Sequence, residues 1–222
     1  MRDLILVDND IALKLCAYSC AQELMWFGSG RNRTLAMLRL AQYTVGRRVH
    51  RARGIQDSAS LQTQWGVLAA AVLWVEPTEE EIMFAAELEE QAMMLSLELD
   101  AGESQLFAIL VHRMSPLLIT GDKRAINALE RIAHCLPSER VACLEQIVFT
   151  LLQILGTEIL RKRICGEPGV DRSLSIAFAC NSASNPATEQ TIKEGLTSYV
   201  VSVQKSAPTI LIRTTDLSAV VP

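Results

Sequence analysis

Residues 4–10, Leu-Ile-Leu-Val-Asp-Asn-Asp, join a continuous aliphatic run to two acids near the start of the chain. Four consecutive aliphatic residues predict a short strand that is buried on both faces, as strands of parallel sheets are. We expect a helix to begin near Asp10 and to end at Gly28-Ser29-Gly30. The segment therefore predicts a strand, an acidic turn and a helix in that order.

The same order recurs later in the chain. Residues 117–120, Leu-Leu-Ile-Thr, are followed by Gly121-Asp122 and a predicted helix from Lys123 to His134. A further strand and helix are predicted over residues 140–155. Such alternation is typical of an α/β fold with a largely parallel central sheet flanked by helices, in which ligands bind at the carboxyl ends of the strands.

Two helices are predicted between these units. Thr78 with Glu81 three residues later is a capping box, and it indicates a helix that continues to about Leu95. Asp100 with Glu103 has the same spacing and predicts a helix to about Arg113. Further short strands are expected at about residues 37–41 and 72–75.

Length and composition indicate one domain with an appendage. The chain has 222 residues, of which 50% are hydrophobic, enough to fill a sizeable core. From Cys165 onward it becomes richer in Ser, Thr, Asn and Pro. We therefore predict a domain over residues 1–164 and a carboxy-terminal extension over residues 165–222 that packs on it, with a helix at about residues 189–204.

The cysteines and apolar runs indicate the compartment. No signal peptide is recognised, and no apolar run approaches the roughly 18–20 residues that a membrane span requires. The six cysteines form no C-x-x-C pair, so buried thiols in a reducing cytosol are expected rather than a disulfide or zinc framework. The predicted protein is soluble and cytoplasmic and contacts no membrane.

The net charge of −4 conceals an asymmetry. Residues 31–53 carry seven arginines and no acid, whereas residues 76–103 carry ten acids and no Lys or Arg. Such runs are typical of solvated helix faces. They are equally compatible with a basic surface for a polyanion beside an acidic site for a cation.

Four acids are predicted to converge: Asp8 and Asp10 after the first strand, Glu103 in the first turn of a helix, and Asp122 after a second strand. Carboxylates held close together repel one another, and a divalent cation relieves that repulsion. Oxygen-only ligands favour Mg²⁺ or Mn²⁺ over zinc. Taken singly, Asp10, Asp100 and Asp122 are better explained as helix N-caps; taken together, the acids favour a metal site, because a cap need not be acidic.

The motifs L-I-L-V-D-N-D, L-D-A-G-E-S-Q-L-F-A-I-L and L-L-I-T-G-D-K-R-A together resemble the PIN-domain family. The resemblance covers residues 4–132, with a weaker continuation over residues 141–156. It implies a PIN-like three-layer sandwich and Mg²⁺- or Mn²⁺-dependent hydrolysis of RNA by toxins or other cytoplasmic nucleases. An antitoxin or other complex partner and a homodimer are among the partners that it suggests.

Matched to the family, Asp8 is the first aspartate, Glu103 the acid of the central helix and Asp122 the acid after Thr-x. These three are the expected metal ligands, and Asp10 is expected to assist them in catalysis. Thr120 matches the polar residue beside the last acid. One departure is clear: the family's glutamate after the second strand is missing, and Asp10 or Glu23 is a candidate replacement.

The expected RNA contacts are basic, namely Arg47, Arg48, Arg51, Lys123 and Arg124, beside Thr120. Two other functions remain open. An incomplete PIN-like site would leave a binding or scaffold module in a larger complex. Asp8-Asn9-Asp10 after a strand is also similar to the D-x-D motif of haloacid-dehalogenase-like phosphatases, although Ile11-Ala12 departs from that family's pattern.

Overall fold

The computed structural model describes residues 3–30, 32–132, 138–182 and 187–218. In this part of the chain the strands are β1 (Asp3–Val7), β2 (Arg33–Leu38), β3 (Leu73–Val75), β4 (Leu117–Thr120) and β5 (Val141–Cys143). The helices are α1 (Asn9–Ala17), α2 (Ala21–Trp26), α3 (Ala41–Arg51), α4 (Ser58–Ala71), α5 (Glu79–Met94), α6 (Ala101–His112), α7 (Lys123–Ile132), α8 (Leu144–Leu155), α9 (Thr157–Gly166), α10 (Arg172–Ala177) and α11 (Glu189–Ser206).

The five strands form one sheet in the order β3-β2-β1-β4-β5, and every pair is parallel. The strand β1 lies at the centre, with Val7 opposite Ile119 of β4. In the next pair, Thr120 lies opposite Cys143 of β5. The predicted α/β fold with a parallel sheet flanked by helices is therefore confirmed.

Two hydrophobic cores lie on opposite faces of this sheet. Successive residues of a strand point to opposite faces, so Ile5 and Val7 enter one core and Leu6 enters the other. The first core is packed by α1, α2, α3, α4 and α8, and the second by α5, α6 and α7. The result is a three-layer sandwich of helices, sheet and helices. The helices cover both faces of the sheet and leave a cavity at the carboxyl ends of the strands.

Several element predictions are confirmed with small changes of boundary. The capping boxes Thr78–Glu81 and Asp100–Glu103 open α5 and α6. The strand expected at residues 37–41 begins earlier, at Arg33, and ends at Leu38. The end of the helix expected to reach His134 lies outside the described residues.

The single helix expected from Asp10 to about residue 28 is wrong. It is divided into α1 and α2 at Ser19, whose φ is 54°, in the left-handed region that ends helices. Asp10 is also not the N-cap of α1. Asp8 holds that position and accepts hydrogen bonds from the N–H groups of Asn9 and Asp10.

Residues after 165 contribute to both cores. Leu174, Phe178 and Ile192 pack into the first core, and α11 also reaches the second. Leu211 forms a parallel bridge with Val141 at the β5 edge of the sheet. The boundary between a domain over residues 1–164 and an extension over residues 165–222 stays a prediction.

The expectation of free thiols alone is wrong, because Cys165 and Cys180 form a disulfide with Cα atoms 4.9 Å apart. Their separation of 15 residues carries no sequence signal, and only the path of α9 and α10 brings them together. Cys16, Cys20 and Cys143 are buried free thiols, and Cys135 lies outside the described residues. No helix in the described ranges is long and apolar enough to cross a membrane.

Candidate functional site: an acidic pocket at the strand ends

An open cavity of ≈ 770 Å³ lies at the carboxyl ends of β1, β4 and β5. Ligands of open parallel sheets bind at this edge. The pocket is lined by the four predicted acids, Asp8, Asp10, Glu103 and Asp122. It also contains the predicted Arg48, Lys123 and Arg124.

Asp8 lies in the pocket because β1 ends at Val7 and α1 begins at Asn9. Its carboxylate accepts hydrogen bonds from the N–H groups of Asn9 and Asp10, at 2.6 and 3.4 Å. Burial raises the pKa of Asp8 to about 6, with a further contribution from the charge of Asp10 that the Asn9 N–H opposes. No cationic side chain of the described residues pairs with Asp8.

Glu103 reaches the pocket from the first turn of α6. Its carboxylate accepts the Asp100 N–H at 3.2 Å, in the capping box that begins this helix. The pKa of Glu103 is raised to about 8, chiefly by burial and also by the negative charges of Asp100, Asp122 and Asp8, while the Asp100 N–H opposes the rise. Glu103 therefore shares the electrostatic field of Asp8 and, like it, has no cationic partner in the described structure.

Asp122 lies two residues after β4. Its carboxylate caps α7 by accepting the N–H groups of Arg124 and Ala125, at 2.7 and 3.3 Å, and it forms an ion pair with the Arg124 guanidinium at 3.0 Å. Burial alone would raise the pKa of Asp122, but these hydrogen bonds hold it below its ordinary value. The buried Thr120 hydroxyl accepts the Asp122 N–H at 3.2 Å and so fixes the turn.

Asp10 is held by an internal cation. Lys14, one helical turn later, lies 2.7 Å from Asp10 and 2.8 Å from Asp171, whose carboxylate belongs to the loop between α9 and α10. Gly121 permits this arrangement, since a Cβ there would lie 2.6 Å from Asp10 Oδ2. Asp10 is consequently part of the pocket wall.

The missing glutamate is not replaced by Glu23. Glu23 is buried in α2 and pairs with Arg163 at 2.8 Å, outside the pocket. Instead, Arg48 of α3, the helix that follows β2, and Leu40, the residue just before it, line the pocket. Arg47 and Arg51 are exposed on α3 but do not line the pocket.

Sequence reasoning missed three charged lining residues, Lys14, Glu145 and Asp171. Glu145 follows β5 as Asp122 follows β4, because Thr120 and Cys143 are opposite each other and each acid comes two residues later. Its signal was an acid directly after a buried strand. Asp171 had no comparable signal, since the described contacts join it to Lys14 from 157 residues away.

The carboxylate oxygens of the pocket are of the chemical type that binds a divalent cation, but their present positions do not form a metal site. In the described ranges, no group of three or more His, Cys, Asp or Glu side chains is placed to hold a metal ion as it stands. Internal cations neutralise Asp10, Asp122 and Glu145, whereas Asp8 and Glu103 remain without one. Hard oxygen donors with uncompensated charge fit Mg²⁺ or Mn²⁺, provided that Asp122 turns away from Arg124.

No protein-family model matches the chain, and no curated protein matches its sequence. Among solved structures, the chain is similar to VapBC2 from Rickettsia felis, determined bound to a DNA fragment from its promoter, with a TM-score of 0.43 and 12% identity. The similarity covers 59% of this chain and 93% of that chain.

Proposed function

We propose that the protein is a Mg²⁺- or Mn²⁺-dependent ribonuclease of PIN-like type that hydrolyses phosphodiester bonds. The observation that carries this proposal is the pair Asp8 and Glu103, two buried carboxylates with raised pKa values and no cationic partner in the described structure. They face one pocket with Asp122 at the carboxyl ends of the sheet. Keeping like charges together without a cation is costly, so the arrangement favours binding one.

In this proposal Asp8, Glu103 and Asp122 hold the divalent ion. When bound, such an ion lowers the pKa of a coordinated water and neutralises negative charge that develops on the phosphate. Thr120 fixes the turn that presents Asp122. Lys123 and Arg124, which line the same pocket, position the phosphate backbone of the substrate.

The exposed face of α3 supports RNA as the substrate. Arg47, Arg48 and Arg51 are exposed and have no acidic partner within salt-bridge distance in the described structure, and Arg48 also lines the pocket. Tyr43, which is 66% exposed, lies one turn before Arg47. Unpaired arginines beside an exposed aromatic ring are the combination that single-stranded nucleic acid binds.

The test separates a helix cap from a catalytic acid. Asp122→Asn keeps a side-chain oxygen for capping but loses the charge that a divalent ion requires, so we expect it to abolish Mn²⁺-dependent cleavage of single-stranded RNA. We expect a stability cost of a few tenths of a kcal/mol, on the order of the difference between good caps. Urea unfolding and a gel-based cleavage assay measure the two effects.

Asp57→Asn is the matched control, because Asp57 caps α4 by accepting the Ser60 N–H and lies outside the pocket. This variant should cut RNA as the wild type does. An Asp122→Asn protein that is destabilised but cuts normally per folded molecule would remove Asp122 from the catalytic site.

A binding or scaffold module is the second candidate. It is favoured by the ion pairs within the pocket, because the side chains of Lys14, Lys123 and Arg124 already neutralise three of its acids. Such a protein would bind RNA through α3 without cutting it, with or without Mn²⁺. We also propose an antitoxin or other complex partner, a homodimer, and a toxin-like or defence role for this protein.

A further inference from the structure

We propose that Glu145 is an additional ligand of the divalent cation, held in the metal-free protein by the ammonium group of Lys123. The inference rests on the proposed function, because it extends the same pocket. It places an acid on the β5 side, whereas the family pattern expects one on the helix after β2. Lys123 then competes with the metal ion for one carboxylate.

Strand register brings Glu145 to the same edge of the sheet as Asp122. Thr120 and Cys143 are opposite each other in the parallel pair β4 and β5. Asp122 and Glu145 each follow two residues later, so both lie just beyond the ends of neighbouring strands. Both acids line the same cavity. Glu145 also lies in the first turn of α8, where a helix stabilises negative charge.

Glu145 differs from the other buried glutamates of the described structure. Its side chain is 2% exposed, one carboxylate oxygen accepts a hydrogen bond from Lys123, and the other is buried without a partner among the described residues. Glu81 is equally buried, but Arg113 donates to both of its oxygens and the Thr78 N–H donates to one.

Glu167 is the second comparison. Its carboxylate accepts the N–H groups of Gln56 and Asp57 at distances down to 2.6 Å, and it lies outside the pocket. Glu81 and Glu167 therefore have complete structural roles. Glu145, in contrast, lines the acidic cavity and retains one buried oxygen without a hydrogen-bond donor. Leaving a buried acceptor unpaired costs free energy, and a bound cation would remove that cost.

Lys123 is able to release Glu145. Its side chain is 37% exposed, so the ammonium has access to water at the mouth of the pocket. The same ammonium lies 4.8 Å from the centre of the Tyr199 ring, a favourable contact that does not involve Glu145. A compact ammonium on a flexible stem can thus move away while keeping one of its contacts.

The experiment is a double-mutant cycle read out as Mn²⁺ affinity, by calorimetry or by electron paramagnetic resonance of free Mn²⁺. We expect Glu145→Gln to weaken binding by about tenfold or more. Lys123→Met should tighten binding, since it removes the competing ammonium. In the Glu145→Gln background, Lys123→Met should have no such effect.

Lys193→Met is the matched control, because Lys193 pairs with Glu189 on α11 and lies outside the acidic pocket. Circular dichroism shows whether each variant folds. If Lys123→Met alone does not fold, the reason is that the buried carboxylate of Glu145 has been left unpaired. The Mn²⁺ affinities of the double variant and of Glu145→Gln then still show whether Lys123 acts through Glu145.

Two results would overturn the inference. Unchanged Mn²⁺ affinity in Glu145→Gln would leave Glu145 as an anchor for Lys123. Equal tightening by Lys123→Met in both backgrounds would reduce its effect to general electrostatics. If Asp8→Asn abolishes Mn²⁺ binding while the cycle shows no coupling, the inference fails alone. A wild type that binds no Mn²⁺ would defeat the proposed metal site as well.

Discussion

At the residue scale, two carboxylates dominate the pH response of the metal-free protein. Burial raises the pKa of Glu103 to about 8 and that of Asp8 to about 6. In the unfolded chain these groups titrate near their ordinary values of about 4. The folded state therefore binds protons that the unfolded state does not, so these two acids make the protein more stable as the pH falls from above 8 towards 5.

Glu103→Gln should remove most of this response. In EDTA, we expect the wild type to gain on the order of 2 kcal/mol of unfolding free energy from Glu103 between pH 8.5 and pH 6, and the variant to lack that gain. Urea unfolding at the two pH values measures the difference between the proteins, which cancels most other titrations. Parallel pH profiles of the two proteins would show that the pKa of Glu103 is not raised in the folded state.

At the element scale, the disulfide fixes how α9 meets α10. It closes a loop of 15 residues that contains Asp171, the second carboxylate on Lys14. Since Lys14 also holds Asp10, the geometry of one pocket wall depends on this loop. The same loop contains Glu167, which accepts N–H groups just before α4.

Removing the disulfide should destabilise the protein. For Cys165→Ser/Cys180→Ser we expect a loss of about 3 kcal/mol of unfolding free energy, the loop-closure value for this length. Urea unfolding with and without dithiothreitol measures it. The reductant should lower the midpoint of the wild type and leave that of the double variant unchanged. A reductant-insensitive wild type would show that the bond contributes nothing to stability.

At the scale of the whole molecule, residues after 164 complete both cores. Leu174 and Phe178 are fully buried in the first core, while Val200 and Val203 of α11 enter the second. Gln146, on α8, donates hydrogen bonds to the carbonyls of Ile212 and Thr214. Removing the segment would expose apolar surface on both faces of the sheet.

Truncation after residue 164 should therefore prevent stable folding. We expect the fragment to lose the cooperative thermal transition of the full chain, because each fully buried Leu or Phe contributes about 2 kcal/mol or more to the hydrophobic stabilisation. Circular dichroism melting of both proteins measures this. A sharp transition in the fragment would show that residues 1–164 fold alone, as the composition shift at Cys165 predicts.

The local signals in the sequence were sufficient for the order of the strands and for the helices that carry Glu103 and follow Asp122. Aliphatic runs such as residues 4–7, the capping boxes at Thr78 and Asp100, and the acids after β1 and β4 all act within a few residues of themselves. From them the parallel sheet and the edge at which Asp8, Glu103 and Asp122 meet could be predicted. Their catalytic use stays a prediction.

Contacts between distant segments were decided only by the tertiary structure. The sequence gives no sign that Lys14 would bind Asp171, that Arg163 would hold Glu23 outside the pocket, or that Cys165 would meet Cys180. An ion pair or disulfide depends on where helices pack, and packing depends on the summed burial of apolar residues throughout the chain. The identity of the acids is therefore written locally, whereas the cation that neutralises each of them is set by the fold.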